Sequence, residues 1–300
     1  MVTDDVREIS AALRGSEEVR TQIGDFLLEP LQENVYGLMN DRGKRFFVKL
    51  IAEDDRRGNN ELHVNQTLSK TGELPAPQLL FNVKMPGATA ACWEWSAGVD
   101  LRYRHRELLP QVYAQLGQFH LARKNDGCVC SPATYAEYDS IPAFLAGELE
   151  ALGSFLDQAE QRRCAAAFSL LEAGFVTTIH GDMHPGNVRR TEDGFQVVDW
   201  EFSVNSLNLL DLDYLQSLPG LETEPDDEWW NILPEESEKI LPAYFEACGM
   251  GDADWRSIHL AVMAWAALRA HYNAAHYKNM AGAARSLRNL RRVLQTLKVS

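Results

Sequence analysis

Residues 180–188 read HGDMHPGNV, which sets two histidines, an aspartate and an asparagine within eight positions. Two chemistries draw on those residue types. In two-metal phosphoesterases, Asp-x-His and Gly-Asp-x-His patterns supply the carboxylates and imidazoles that hold a pair of divalent ions. In a phosphotransferase, an aspartate orients the attacking hydroxyl and accepts its proton, and an asparagine further along binds a metal. Each reading makes demands on the rest of the chain.

The metal reading requires further imidazoles downstream. After His184 only His259, His271 and His276 remain, all in helical sequence and none beside Asn-His-Asp or Gly-His-x-His. It also leaves the N-terminal segment unexplained, and short motifs of this kind match by chance. The transfer reading requires more, and the chain supplies it. Asp182 and Asn187 are five positions apart, the spacing of base and metal ligand in a kinase catalytic loop. A second metal carboxylate should follow a short hairpin, and Asp199 does so in Val197-Val198-Asp199-Trp200-Glu201. Hard Mg²⁺ prefers carboxylate and amide oxygens, which suits Asn187 and Asp199. A lysine is needed for the ATP phosphates, and Arg45–Leu50 (RFFVKL) places Lys49 in a strand otherwise built for burial. Glu61 lies twelve residues on, in helical sequence, as a partner to hold that lysine extended. Singly, Lys49 and Glu61 read as a surface lysine and a solvated glutamate; their register with two downstream motifs argues otherwise.

Composition is that of an ordinary soluble protein. The chain has 300 residues, 45% apolar and 24% charged, which suits one large domain or two lobes. No apolar run approaches the ~20 residues that span a bilayer. The opening MVTDDVREIS is acidic and amphipathic where a signal peptide is basic and then apolar, so a cytoplasmic location is expected. Five scattered cysteines, Cys92, Cys128, Cys130, Cys164 and Cys248, fit reduced thiols, and Cys128-Val-Cys130 has the wrong spacing for a zinc knuckle. A net charge of −14 argues against nucleic acid as a partner. Arg285, Arg288, Arg291, Arg292 and Lys298 accompany Leu287, Leu290, Leu294 and Leu297 at helical spacing, which predicts a terminal helix with a solvated basic face.

Along the chain, an opening helix with Val6, Ile9 and Leu13 on one side precedes a strand-rich segment. Strands are expected at Phe26–Leu28, Val35–Met39, Phe46–Ile51, Gln78–Val83 and Thr89–Trp95, with a helix around Glu61–Lys70 that stops at Gly72. Asn40-Asp41-Arg42-Gly43 is hairpin chemistry between the second and third strands. Ser96-Ala97-Gly98 marks the expected boundary between residues 1–95 and 96–300. Beyond it Leu108–Arg123, Ile141–Ala173 and residues 255–278 read as helical, and a hairpin is expected at 188–198 around Glu192-Asp193-Gly194.

These pieces together resemble the aminoglycoside phosphotransferase and choline kinase-like family, relatives of the protein kinases. The resemblance runs from about Phe26 to the C-terminal helices. Its most specific parts are His180-Gly-Asp182-x-x-x-x-Asn187 and Asp199-Trp200-Glu201; Glu33-Asn34-Val35-Tyr36, Val48-Lys49, Glu61, Trp93-Glu94-Trp95 and Leu116-Gly117-x-x-His120 support them. It implies an α+β, two-lobed protein-kinase-like fold, with a small antiparallel-sheet N-lobe that binds nucleotide and a larger, mainly helical C-lobe. It implies ATP and Mg²⁺ as cofactors and a small-molecule hydroxyl as phosphoryl acceptor. By position, Asp182 would be the base, Asn187 and Asp199 the metal ligands, and Lys49 with Glu61 the phosphate anchor. Asn34 would lie at the nucleotide, and the Glu94 carbonyl and Ser96 amide would bind adenine. His180 would brace the loop, His184 would be structural, and Asp211 would support the loop from behind. Glu201 stays open between support and substrate contact.

The sequence departs from a protein kinase. Glu29–Asn34 (EPLQEN) has no glycine where a Gly-x-Gly-x-x-Gly loop would cover the phosphates, and no Ala-Pro-Glu follows Asp199. Protein substrates are therefore not expected. Leu221–Trp230 reads LETEPDDEWW, an acidic run followed by two tryptophans. Asp226, Asp227, Trp229 and Trp230 are suited to a cationic acceptor through ion pairing and cation–π attraction; the other reading is a solvated acidic loop. A non-catalytic kinase-like protein, binding nucleotide or a partner without transfer, would ordinarily lack the base, the lysine or a metal ligand. Lys49, Asp182, Asn187 and Asp199 are all present, so an active enzyme is expected.

Overall fold

Alternation along the third strand sets the architecture of the N-terminal part. In a computed structural model, which describes residues 2–125, 129–130, 137–223 and 231–297, β3 runs Arg45–Ala52. Its even positions Phe46 and Val48 are buried on one face with Ile9 and Leu13 of α1 (Val2–Gly15), Val19 of α2 (Glu17–Gln22) and Ile23, which caps α2. Its odd positions turn the other way, where Phe47 and Ile51 pack with Ala91, Trp93 and Leu62. The two-residue period of a strand sends Lys49 to that second face.

The sheet is antiparallel, in the order β1-β2-β3-β5-β4, with β1 Phe26–Gln32, β2 Val35–Asn40, β4 Leu79–Met85 and β5 Ala88–Glu94. The β2–β3 turn is closed by Asn40, whose side-chain oxygen accepts the Arg42 and Lys44 amides at 3.1 and 2.8 Å. Pairing of Lys49 with Val35 on one side and Ala91 on the other places the lysine in the middle of the sheet. Between β3 and β4, α3 (Arg56–Thr71) is capped by Asp55, which accepts the Arg57 and Gly58 amides at 3.1 Å each. A Cβ on Gly58 would lie 2.7 Å from Asp55 Oδ2 and 2.8 Å from Ile51 Cγ2, so the cap and the strand come this close only because the residue is glycine. Gly72, at φ 64°, ends the helix.

The chain divides into two compact units, Met1–Val99 with Arg189–Phe202, and Asp100–Val188 with Ser203–Ser300. The second unit is mainly helical: α4 Leu109–Ala122, α5 Ile141–Leu152, α6 Gln158–Ser169, α7 Pro234–Ala247, α8 Trp255–His276 and α9 Met280–Leu297. A small antiparallel sheet and a larger helical part are thus both present, as expected. One expectation needs correcting. The helical run from Ile141 breaks at Gly153, and α6 starts afresh from a capping box of Asp157 and Glu160. The basic face of α9 is exposed, as expected: Arg288 and Arg291 reach Glu222 and Glu160 at 2.6 Å each with half of each arginine side chain in solvent, and Arg292 donates to the Gly220 carbonyl.

A short pair of strands, Val176–Ile179 and Val204–Leu207, threads the helical unit. It delivers the 180–188 loop at one end. On α4, Gly117 lets α7 approach closely, since a Cβ there would lie 2.8 Å from the Tyr244 carbonyl oxygen. Cys92, Cys164 and Cys248 are buried free thiols, and burial pushes Cys164 and Cys248 up to about 12 and about 11. Among the described residues no helix is long and apolar enough to cross a membrane.

Candidate active site

In the first unit, charge gathers around Lys49. Its ammonium donates to Glu61 Oε2 at 2.7 Å and to Glu201 Oε2 at 3.1 Å. Glu61 reaches it from α3 with 7% of its side chain exposed, and Glu201 with 29%. Burial by itself would lower the lysine's pKa, but the two carboxylates outweigh it and raise it above the ordinary value. Burial lifts the Glu61 carboxyl, Lys49 opposes that, and Asp199 and Glu201 add to the lift. Lysine has three donors, and two are used here.

Asp199 stands just beyond the hairpin of Val188–Thr191 and Gly194–Val197. Its φ of 66° is left-handed, a backbone state that a non-glycine residue adopts at a cost. Trp200, fully buried and donating from Nε1 to the Val197 carbonyl at 3.2 Å, fixes the turn that imposes it.

The same unit carries an open groove of about 220 Å³, lined by Leu27, Glu29, Leu31, Met39, Arg45 and Trp95 among others. Leu27, Leu31, Met39 and Trp95 are 70, 49, 42 and 37% exposed, an apolar concentration open to solvent. Arg45 lies over the Trp95 ring at 5.9 Å. Beside it, Ser96 Oγ is buried with no hydrogen-bond partner among the described residues. The Glu94 carboxylate pairs with Lys44 at 3.0 Å. Asn34 is exposed at the β1–β2 turn with φ 59°, and its carbonyl accepts the Leu50 amide at 2.8 Å.

In the second unit the 180–188 loop is held from beneath. Asp211, fully buried, accepts the His180 and Gly181 amides, each at 2.7 Å. Its Oδ2 also meets His120 Nε2 at 3.1 Å, and His120 Nδ1 meets the Tyr244 hydroxyl at 2.8 Å. Gly181, at φ 80°, makes the turn. Fully buried His180 offers Nδ1 to the Asp182 amide at 3.3 Å.

Asp182 is 24% exposed at its side chain. Asn187 Nδ2 donates to its carbonyl at 2.9 Å and to its Oδ2 at 3.2 Å. That leaves Asn187 Oδ1 as a hard oxygen donor with no hydrogen bond to the described residues. His184 Nε2 stands 3.5 Å from the same Oδ2, and the Tyr214 hydroxyl donates to Oδ1 at 2.6 Å. Burial works to raise the Asp182 carboxyl, but the hydrogen bonds of His184 and Tyr214 outweigh it and hold the group below its ordinary value. The group is a carboxylate throughout the neutral range.

Tyr214 was not legible in the sequence, where it follows Asp211 and Asp213 in the leucine-rich Leu209–Leu215. Asp226, Asp227, Trp229 and Trp230 lie outside the described residues. Among the described residues, no cluster of three or more His, Cys, Asp or Glu could hold a metal ion by itself. Such a cluster is what the two-metal hydrolase needs. An amide oxygen and a carboxylate are the donors a Mg²⁺ takes when phosphates supply the rest.

Solved structures with this architecture span nearly the whole chain. A choline/ethanolamine kinase family protein from Mesorhizobium loti covers 100% of this chain and 96% of its own, at 18% identity and a TM-score of 0.59. Choline kinase from Cryptosporidium parvum Iowa II covers 96% and 93%, at 11% identity and 0.56. Aminoglycoside 2'-phosphotransferase-IIIa, solved as its GDP complex, covers 95% and 99%, at 12% identity and 0.55. No curated protein sequence matches the chain. The fold is therefore the protein-kinase-like fold of small-molecule phosphotransferases. The chain belongs to the phosphotransferase enzyme family, whose family model matches residues 28–260.

Proposed function

We propose that the protein transfers the γ-phosphoryl group of ATP to a hydroxyl of a small molecule. The observation that carries the reading is the pairing of Asp182 with Asn187. One is an ionised carboxylate with its pKa held down, and the other is an amide locked by that carboxylate with its oxygen left over.

The chemistry asks little covalent participation of the protein and much positioning. Asp182 orients the acceptor hydroxyl and takes its proton as the new O–P bond forms and the bond to the ADP oxygen breaks. Lys49, steadied by Glu61 and Glu201, turns its third N–H to the ATP phosphates. Asn187 Oδ1 and the Asp199 carboxylate would hold Mg²⁺, and the strained backbone at Asp199 is of the kind that persists at ligand sites. When bound, Mg²⁺ neutralises charge building on the phosphate oxygens. The apolar groove with Trp95, and Ser96 with its unpartnered hydroxyl, suit a purine base.

A cationic acceptor, aminoglycoside- or choline-like, is favoured by the carboxylates and tryptophans of residues 222–230. Replacing Asp226 and Asp227 by Asn then raises the KM for an amine acceptor. The first experiment is ADP release from MgATP across hydroxylated amines, aminoglycosides, macrolides and sugars, with Asp182→Asn as control. Acceptor-dependent release absent from the control establishes the transfer and names the substrate class. Silence across the panel favours a nucleotide-binding relative that transfers nothing.

A further inference from the structure

The Asp182 carboxylate has two oxygens, and its own loop attends to only one. Asn187 Nδ2 and His184 Nε2 both approach Oδ2, at 3.2 and 3.5 Å. The direction of the second contact follows from the ring: His184 Nδ1 accepts the Gly186 amide at 3.0 Å, so a neutral imidazole carries its proton on Nε2, towards Asp182. Among the described residues, Oδ1 has a single partner, the Tyr214 hydroxyl at 2.6 Å. That is the short distance of an O–H donor on a charged oxygen.

We propose that Tyr214 is a positioning residue for the base, fixing the rotation of the Asp182 carboxylate so that one oxygen faces the acceptor hydroxyl. This rests on the phosphotransfer reading above. The torsion about a carboxylate's Cβ–Cγ bond is broad, and two contacts on the same oxygen leave the plane free to swing. A third contact on the other oxygen stops it. Oδ1 keeps a second lone-pair direction for the incoming proton. The phenol arrives from a segment already anchored to the loop, because Asp211, three residues earlier, holds the His180 and Gly181 amides. Its ring meets the His184 ring edge-on, with centroids 5.1 Å apart and planes at 64°. The tyrosine therefore braces both the base and one of the base's other partners. Burial and the carboxylates of Asp213 and Asp182 lift the phenol's pKa, so it remains a donor.

Tyr214→Phe removes the hydroxyl and keeps the ring, and it is compared with wild type and Asp182→Asn in the full chain. ADP release from MgATP is measured with the acceptor the panel identifies, or with water, alongside thermal unfolding. Tyr214→Phe is expected to lower kcat about 10- to 100-fold with the MgATP KM within about twofold, as for loss of one oriented contact to the base. Replacement of Tyr214 by 4-aminophenylalanine, which restores a donor at that point, recovers most of the loss. Unchanged kcat in Tyr214→Phe, or a rise in KM alone, overturns the proposal while wild-type turnover leaves the phosphotransfer reading standing. Phosphate found on Tyr214 after incubation with MgATP also overturns it, since the hydroxyl is then an acceptor. Wild-type release no greater than that of Asp182→Asn removes the phosphotransfer reading, and the tyrosine's role with it.

Discussion

Asp211 Oδ1 accepts the Gly181 amide at 2.7 Å, and the other oxygen of the same carboxylate takes the His180 amide and the His120 ring. Three donors converge on a carboxylate with no exposed surface. Asparagine in its place offers one acceptor oxygen and turns an NH₂ towards an N–H. Asp211→Asn should cost about 2–4 kcal/mol, the usual range for breaking a buried charged network. Turnover should fall with it, because the loop carrying Asp182 loses its support. Chemical denaturation and calorimetry read the first effect, and an unchanged unfolding midpoint would show that the network is dispensable.

Lys49 sits between two carboxylates of unequal burial, and that inequality ranks their effects. Lys49→Met should reduce ADP release on the order of a hundredfold, as for loss of an electrostatic contact to a transferring group. Glu61→Gln should reduce it more than Glu201→Gln, since Glu61 is closer, at 2.7 against 3.1 Å, and less exposed, at 7 against 29%. Steady-state kinetics on the three variants test the order. The reverse ranking would assign Glu201 a part beyond steadying the lysine.

Gly117 allows α4 and α7 to meet at backbone distance. A methyl group at this position would lie 2.8 Å from the Tyr244 carbonyl oxygen and 3.1 Å from the Ala247 side chain. Gly117→Ala gains helix propensity, but overpacking should win, with a net loss of about 1–3 kcal/mol. A urea midpoint at or above wild type would mean that the two helices separate at little cost.

The features whose geometry is set locally were the ones legible in the sequence. The β2–β3 hairpin follows from Asn40–Gly43, and the strand that carries Lys49 from the apolar run Phe46–Ile51 around it. The spacing of Asp182 and Asn187 is itself the local hydrogen-bonded turn that joins them. What stayed hidden depends on distant partners. Tyr214 contacts a residue 32 positions earlier, and no periodicity encodes that distance. The strands Val176–Ile179 and Val204–Leu207 are four residues each and depend on each other for their hydrogen bonds, so neither reads as a strand alone. The break at Gly153 was masked because apolar residues continue through Leu152, Phe155 and Leu156.

His259 gives the helical unit a pH dependence whose sign can be worked out. It is fully buried, between the Ser217 hydroxyl at 2.8 Å and the Leu212 carbonyl at 3.3 Å. Burial lowers its pKa from 6.5 to about 4. Between those values the unfolded chain binds a proton that the folded one refuses, so His259 makes stability fall as pH drops from 6.5 to 4. The full effect is about 3 kcal/mol. Asp213 acts in the opposite sense, because burial raises its carboxyl from 3.8 to about 7 despite Arg269. Its folded form keeps a proton that the unfolded chain releases, so its contribution falls as pH rises through that window. The two slopes oppose each other, and the wild-type urea midpoint should change little across the shared range. His259→Gln leaves the Asp213 slope, with stability falling as pH rises. Asp213→Asn leaves the His259 slope, with stability rising as pH rises. Midpoints measured for the three proteins between pH 4 and pH 6.5 decide the matter, and parallel profiles for wild type and His259→Gln would mean that the imidazole is not held neutral.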